Sequence, residues 1–260
     1  MKGFAEAAPG VFIKKDCDST ELRLRILNAK SIVSDFDGSL LPGFAAVPPA
    51  LLTLEKLAKT DALFGQKLAA LKKLLRQRKK YSVEQLSRKY ASLLSGVSER
   101  QLFRMARLLG RQNRLFPGAA KFLRLISKTA EITVVSYGIR EITKAYCARL
   151  SCRVFCRRFE TKKGIITGRI IERANAERYK VNALKNTGLW QNGYDLGIGN
   201  GEEDAAFLSR GRLRILVNPS QRLVRQMNPD IVLLGERDPW AGFCDWLFTP
   251  RRTEARAGRC

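Results

Sequence analysis

The sequence predicts an α/β fold in which a parallel sheet is interrupted by an all-helical insert. Three observations carry this prediction. Short continuous apolar runs recur at 31–38, 132–138, 195–201 and 214–219, as strands covered on both faces require. Helical patterns separate them, at about 117–128, 139–150, 176–187, 202–209 and 219–227. The stretch from about 50 to 112 carries no strand pattern at all. There Leu68, Leu71, Leu74 and Leu75, and then Leu102, Met105, Leu108 and Leu109, repeat at helical spacing. The expected architecture is a Rossmann-like parallel core with a helical cap inserted after the first strand.

In chain order, residues 1–48 form an N-terminal segment that includes the first core strand. Residues 49–113 form the helical cap, with Gly96 and Ser98 marking a turn and a helix N-cap. Residues 114–250 return to the core. Within them, Lys163-Gly164 between two β-rich runs predicts a hairpin in 153–171. Residues 251–260 form a polar tail, expected to fray.

Composition excludes several classes. The chain has 260 residues, 45% hydrophobic and 28% charged, an ordinary globular balance. No apolar run approaches the ~20 residues of a membrane helix. The N-terminus lacks the apolar core of a secretory signal, so the expected location is cytoplasmic. There is no histidine, so Ser-His-Asp and Cys-His hydrolases are excluded. The six cysteines form no paired CxxC units and are expected to be reduced thiols. The net charge of +24 implies attraction to polyanions. Residues 55–128 hold nineteen Lys/Arg against four Asp/Glu, with a dense run at Lys72, Lys73, Arg76, Arg78, Lys79 and Lys80. That run reads as a solvated outer face, or as a basic cap that steers an anionic substrate or docks on an acidic surface.

The chemistry gathers at strand ends. Asp35 and Asp37 lie two apart at the end of an apolar strand, and Gly38 permits a sharp turn. Two carboxylates ~4 Å apart repel by about 4 kcal/mol at an effective dielectric of 20. A hard cation such as Mg²⁺ removes that cost and takes oxygen ligands. Alone, the pair also fits an Asx-type turn closing a strand. Ser136 ends the next strand, followed by Tyr137 and Gly138 and then a helix, so its hydroxyl and free N–H groups form an anion site. Lys180 can supply a fixed positive charge. Gly199-Asn200-Gly201-Glu202-Glu203-Asp204 offers oxygen ligands on a flexible backbone.

The order DFDGS, VVSYG, a later Lys and GNGEED resembles the haloacid dehalogenase superfamily, and within it the phosphoserine phosphatase-like branch (subfamily IB-like). The position and size of the helical insert, LFPGAAKFL before the second motif and RRFETKKGIITGRI before the lysine are similar to that branch as well. The resemblance spans about residues 31–235. It implies a Mg²⁺-dependent phosphatase acting on a small phosphorylated substrate. Asp35 would attack phosphorus, and Asp37 would protonate the leaving oxygen and then activate water. Ser136, with backbone N–H groups at Tyr137 and Gly138, would hold the phosphate oxygens, and Lys180 would screen Asp35. Asp35, the Asp37 carbonyl and Asn200 would hold Mg²⁺, with Asp204 in support.

Two departures bear on function. Asn200 stands where the family normally has a metal-binding Asp, which removes one charge from the metal site. The stretch Leu40 to Val47 has no acid, where phosphoserine phosphatases use one to hold the substrate amine. Phosphoserine is therefore not the expected substrate. Other readings stay open: transfer of phosphate to a second alcohol, a non-catalytic scaffold that binds nucleic acid, and a lipid-head-group phosphatase at an acidic membrane surface.

Overall fold

The computed structural model describes residues 1–112 and 115–249. The expected frayed tail, 251–260, and the expected cap boundary at 113/114 lie outside the described residues. The elements run β1 (Phe4–Ala8), β2 (Val11–Lys14), α1 (Ser19–Leu27), β3 (Ser31–Ser34), α2 (Val47–Leu57), α3 (Ala62–Arg76), α4 (Val83–Leu93), α5 (Glu99–Gly110) and α6 (Pro117–Ile126). They continue with β4 (Glu131–Ile139), α7 (Arg140–Tyr146), β5 (Cys152–Arg157), β6 (Phe159–Lys162), β7 (Ile165–Ile170), α8 (Ala176–Lys185), α9 (Leu189–Asn192) and β8 (Tyr194–Gly199). The last are α10 (Ala205–Leu208), β9 (Gly211–Val217), α11 (Gln221–Met227), β10 (Ile231–Leu233) and α12 (Ala241–Phe248).

The main sheet has the order β1-β2-β10-β9-β8-β3-β4-β5. Its pairs from β10 through β5 are all parallel. The antiparallel pair β1/β2 extends one edge. From β3 the chain steps to β4 and β5 on one side, then returns to β8, β9 and β10 on the other. The carboxyl end of β3 is thus a topological switch point, where α/β sheets bind ligands. The apolar runs that predicted strands are buried: Ile32 and Val33, Val134 and Val135, Leu196 and Ile198, Ile215 and Leu216.

The expected hairpin of 153–171 divides in two. Cys152–Arg157 joins the main sheet as its far edge strand, parallel to β4. Only β6 and β7 form the hairpin. Its turn is at Lys163 and Gly164, both left-handed at φ 51° and 75°. The hairpin braces the cap. Gly96 N–H donates to the Ile166 carbonyl at 2.9 Å, and Ile166 N–H donates to Val97 at 3.0 Å. Tyr90 stacks on Phe159 with ring centroids 6.3 Å apart.

The insert consists of α2 to α5. Asp61 caps α3 through Leu63 N–H at 2.8 Å, and Ser82 with Gln85 forms a capping box on α4. Gly96 makes the expected turn at φ 81°, and Ser98 stands at the N-cap position of α5 without a side-chain cap hydrogen bond. Of the periodic leucines, Leu71, Leu74, Leu102 and Leu109 are buried, whereas Leu108 faces solvent. Further hydrogen bonds tie cap to core. Tyr90 Oη donates to the Ala46 carbonyl at 2.7 Å, Arg157 donates to Ser87 Oγ at 2.6 Å, and Ala176 N–H donates to Glu84 at 3.1 Å. Among the described residues, no helix is long and apolar enough to cross a membrane.

Candidate active site

Strands β8, β3 and β4 lie side by side, so the residues after their carboxyl ends meet. β3 ends at Ser34, and Asp35 begins the loop that follows. Its N–H still donates to the Ile198 carbonyl at 2.8 Å, which keeps Asp35 in line with the sheet. Both Asp35 and Asp37 line one cavity. A tight loop aims them there, rather than the strand alternation expected from their spacing. Leu40 and Leu41 N–H both bond the Phe36 carbonyl, and Gly38 N–H bonds the Leu41 carbonyl. Gly38 has φ 86°, and a Cβ there would stand 2.2 Å from Asn200 Nδ2. Trp240, fully buried, donates from its indole to the Ser39 carbonyl at 2.8 Å and fixes the far side of the loop.

Lys180 is buried on α8, one turn past its Asn175 cap. Its Nζ lies 2.7 Å from Asp35 Oδ1 and 2.5 Å from Asp204 Oδ1. Asp204 Oδ2 accepts from the N–H groups of Asn200 and Gly201 at 2.9 and 3.0 Å. Both oxygens of Asp204 are therefore engaged, one on the lysine and one on the loop that carries Asn200. Burial alone would lower the Lys180 pKa, but Asp204 and Asp35 overcome it and raise it. Burial raises the pKa of Asp35, against the pull of Lys180.

Asp37 Oδ1 accepts from Ala45 N–H at 2.6 Å, and its Oδ2 faces Ser136 Oγ at 3.4 Å. Burial pushes the Asp37 pKa up to about 6, with Ala45 N–H the main opposing influence. Ser136 Oγ also accepts from Gly138 N–H at 2.9 Å. The expectation that Ser136 ends this strand is corrected here. A register shift between Val135 and Ile139 lets β4 continue to Ile139, paired with Arg157, while α7 begins at Arg140, one residue from the expected helix start at about 139. The polar groups beside Asp37 are then the Ser136 hydroxyl and the close-packed Gly138 backbone. Tyr137 turns its hydroxyl away to the Ala174 carbonyl at 2.8 Å.

Two residues of this site were not anticipated. Ser39 Oγ lies 3.1 Å from Asp35 Oδ2 and 3.2 Å from Asn200 Oδ1. One hydroxyl hydrogen can serve only one of these two acceptors at a time. The other oxygen lacks a donor from Ser39, and the one ammonium of Lys180 is shared between two carboxylates, Asp35 and Asp204, with Asp37 beside them on the same cavity. That donor set fits a hard divalent cation held by Asp35 and Asn200. Arg157 is the second. It is buried, its guanidinium donates to the Tyr137 carbonyl and to Ser87 Oγ, and it stacks on the Tyr137 ring at 3.2 Å. Two adjacent arginines after a short strand, Arg157-Arg158, read as surface; only burial distinguishes them.

The sequence from 32 to 209 matches the haloacid dehalogenase-like hydrolase family. The chain belongs to that family. Among solved structures, this hydrolase is similar to a substrate-bound phosphoserine phosphatase complex, with 19% identity and a TM-score of 0.58 over 81% of this chain and 94% of that one. It is similar to the phosphoserine phosphatase of T. onnurineus in complex with NDSB-201, with 17% identity and a TM-score of 0.55 over 86% and 97%. A protein of unknown function from Bordetella pertussis Tohama I matches at 17% identity and a TM-score of 0.60 over 78% and 98%. At these identities the likeness establishes a shared fold. A comparison with curated protein sequences finds no match.

Proposed function

We propose that this hydrolase is a Mg²⁺-dependent phosphatase of small phosphate monoesters, working through an aspartyl-phosphate on Asp35. The observation that carries the reading is the buried Asp35–Lys180–Asp204 chain beside Asp37, with Asp35, Asp37 and Lys180 lining one cavity. Asp35 and Asn200 would hold the metal, with the Asp37 carbonyl, while Asp204 organises Lys180 and the Asn200 loop. When bound, Mg²⁺ neutralises the anionic phosphate against the anionic nucleophile.

An Asp35 oxygen attacks phosphorus, and the bond from phosphorus to the ester oxygen breaks. Asp37, with its pKa near 6, delivers its proton to the departing alcohol oxygen. Water then attacks the phosphorus of the aspartyl-phosphate and Asp37 takes its proton. The bond to Asp35 breaks and phosphate leaves. Lys180 keeps the Asp35 region from repelling the dianion, and the Ser136 hydroxyl donates to a phosphate oxygen. Release of phosphate from an aryl phosphate, lost with EDTA and with Asp35→Asn, tests the reading. Turnover equal to that of Asp35→Asn at every Mg²⁺ concentration would overturn it. Added alcohol acceptors, followed by product analysis, separate hydrolysis from phosphate transfer.

A second reading concerns location and partners. The residues Lys72, Lys73, Arg76, Arg78, Lys79 and Lys80 are all exposed, on α3 and the turn after it. They suit an acidic membrane surface or another polyanion, and a cytoplasmic protein meets both. Sedimentation with anionic vesicles, weakening steeply with salt, supports this reading; salt-independent retention counts against it.

A further inference from the structure

We infer that the alcohol this enzyme releases is apolar: its substrate class is the phosphate monoester of an alkyl, prenyl or aryl alcohol. The inference rests on the phosphatase reading and deepens it. The cavity that contains Asp35 and Asp37 is closed on the cap side by Phe44, Val47, Leu71, Leu74, Leu75 and Leu86. These come from the loop after the nucleophile and from α2, α3 and α4, so the apolar wall stands over the point where a leaving group departs.

Two polar groups of that wall are already engaged: Tyr90 Oη donates to the Ala46 carbonyl, and Ser87 Oγ accepts from Arg157. Arg78, exposed, also lines the cavity on the cap side. Away from Arg78, a polyol would lose water contacts without replacement. Among the described residues, no carboxylate of the cap lines the cavity. The lining acids are Asp35, Asp37 and Glu203. Glu203 comes from the core loop, and the charges that influence it most are those of Asp204 and Lys180. A substrate ammonium, as in a phosphorylated amino acid, has no dedicated counter-ion on the cap side.

Size agrees as well. The cavity volume is about 130 Å³, near the ~150 Å³ of apolar cavities that take up benzene. It holds one ring or a short run of methylenes. Phe44 is 41% exposed and stands at the solvent edge, where a longer chain would leave.

The test is a series of straight-chain alkyl phosphates with Mg²⁺, from methyl to decyl, beside phosphoserine. In parallel, calorimetry measures binding of the matching alkyl phosphonates, which cannot be hydrolysed. The expected result is a kcat/KM that rises about two- to fourfold per methylene and then levels off as the cavity fills. Phosphonate affinity rises in step, and phosphoserine falls below the octyl ester. Phe44→Ala and Leu75→Gln, at one exposed and one half-buried position, should both flatten the slope. Turnover with no chain-length dependence overturns the inference and leaves the phosphatase reading standing. No turnover, with phosphonate affinity still rising with length, overturns the phosphatase reading while the apolar site stands. Flat phosphonate binding without turnover overturns both.

Discussion

The core side of the cavity holds Asp35, Lys180 and Arg157, all buried, and the half-buried Asp37, each hydrogen-bonded to a neighbour. The cap side holds mainly leucines, valines and phenylalanine, with Arg78 the charged exception. Charges are costly to bury unless they are paired, so the core wall must be built to fixed geometry and tolerates little change. An apolar wall asks only for shape and volume, and shape can change by single substitutions. The comparison suggests that the core sets the reaction and the cap sets what may react.

Changes on the core side should break activity first. Asp35→Asn is expected to lower kcat/KM by about 10³-fold or more, because the covalent step is lost. Its melting temperature should stay close to that of the parent, since Lys180 keeps Asp204. Parallel rate and melting measurements check both halves. Lys180→Met is expected to destabilise the fold by about 3–5 kcal/mol, because two buried carboxylates lose their cation. Urea unfolding would show it, and an unchanged midpoint would mean that Lys180 is not the organising charge.

Smaller effects sharpen the contrast. Arg157→Met should raise KM about tenfold with a smaller change in kcat, since Arg157 joins the Tyr137 carbonyl to the cap at Ser87 without touching Asp35. Mg²⁺ should raise the melting temperature more at pH 8 than at pH 5. The folded-state pKa values of Asp35 and Asp37 are raised, so the apoprotein holds their protons at low pH and loses that stabilisation as pH rises through about 6 for Asp37 and about 8 for Asp35. A cation replaces those protons, so its benefit grows in the same direction. A melting shift independent of pH would contradict this.

The smallest effect lies away from the cavity. Asp195 accepts from Lys30 N–H and Ser31 N–H at 2.8 and 3.1 Å, fastening β8 to the start of β3. Despite burial, these bonds hold its pKa down. Asp195→Asn should cost about 1 kcal/mol at neutral pH. Because the folded pKa is depressed, that contribution is present above the ordinary carboxylate pKa and disappears as pH falls through the lower folded value. Denaturant midpoints of both proteins, compared at pH 7 and pH 3, measure it.

The parallel core was legible because strands covered on both faces carry unbroken apolar runs. β1, β2 and β10 were not: Val11 and Ile13 alternate with half-buried neighbours over four residues, and β10 is three residues long. Neither length sustains a periodic signal. In the site, Asp35, Asp37, Ser136 and Lys180 were legible from the order of motifs, and one cavity receives all four. The continuation of β4 past Ser136 was missed because the register shift before Ile139 is a tertiary feature, set by pairing with Arg157. Ser39 and Arg157 escaped because their roles depend on burial and on partners distant in sequence, Asn200 and Ser87. The apolar cap wall was visible only as helical periodicity, which marks a buried face and leaves open whether protein or substrate covers it.

If Asp35 is the nucleophile, it carries the phosphoryl group during turnover. Acid quenching during turnover, followed by peptide mass spectrometry, tests this directly. The expected result is one phosphoryl group on the peptide containing Asp35, increased when Asp37→Asn slows the second step and absent in Asp35→Asn. Steady turnover with no phosphorylated peptide, or with phosphate on another residue, would contradict it.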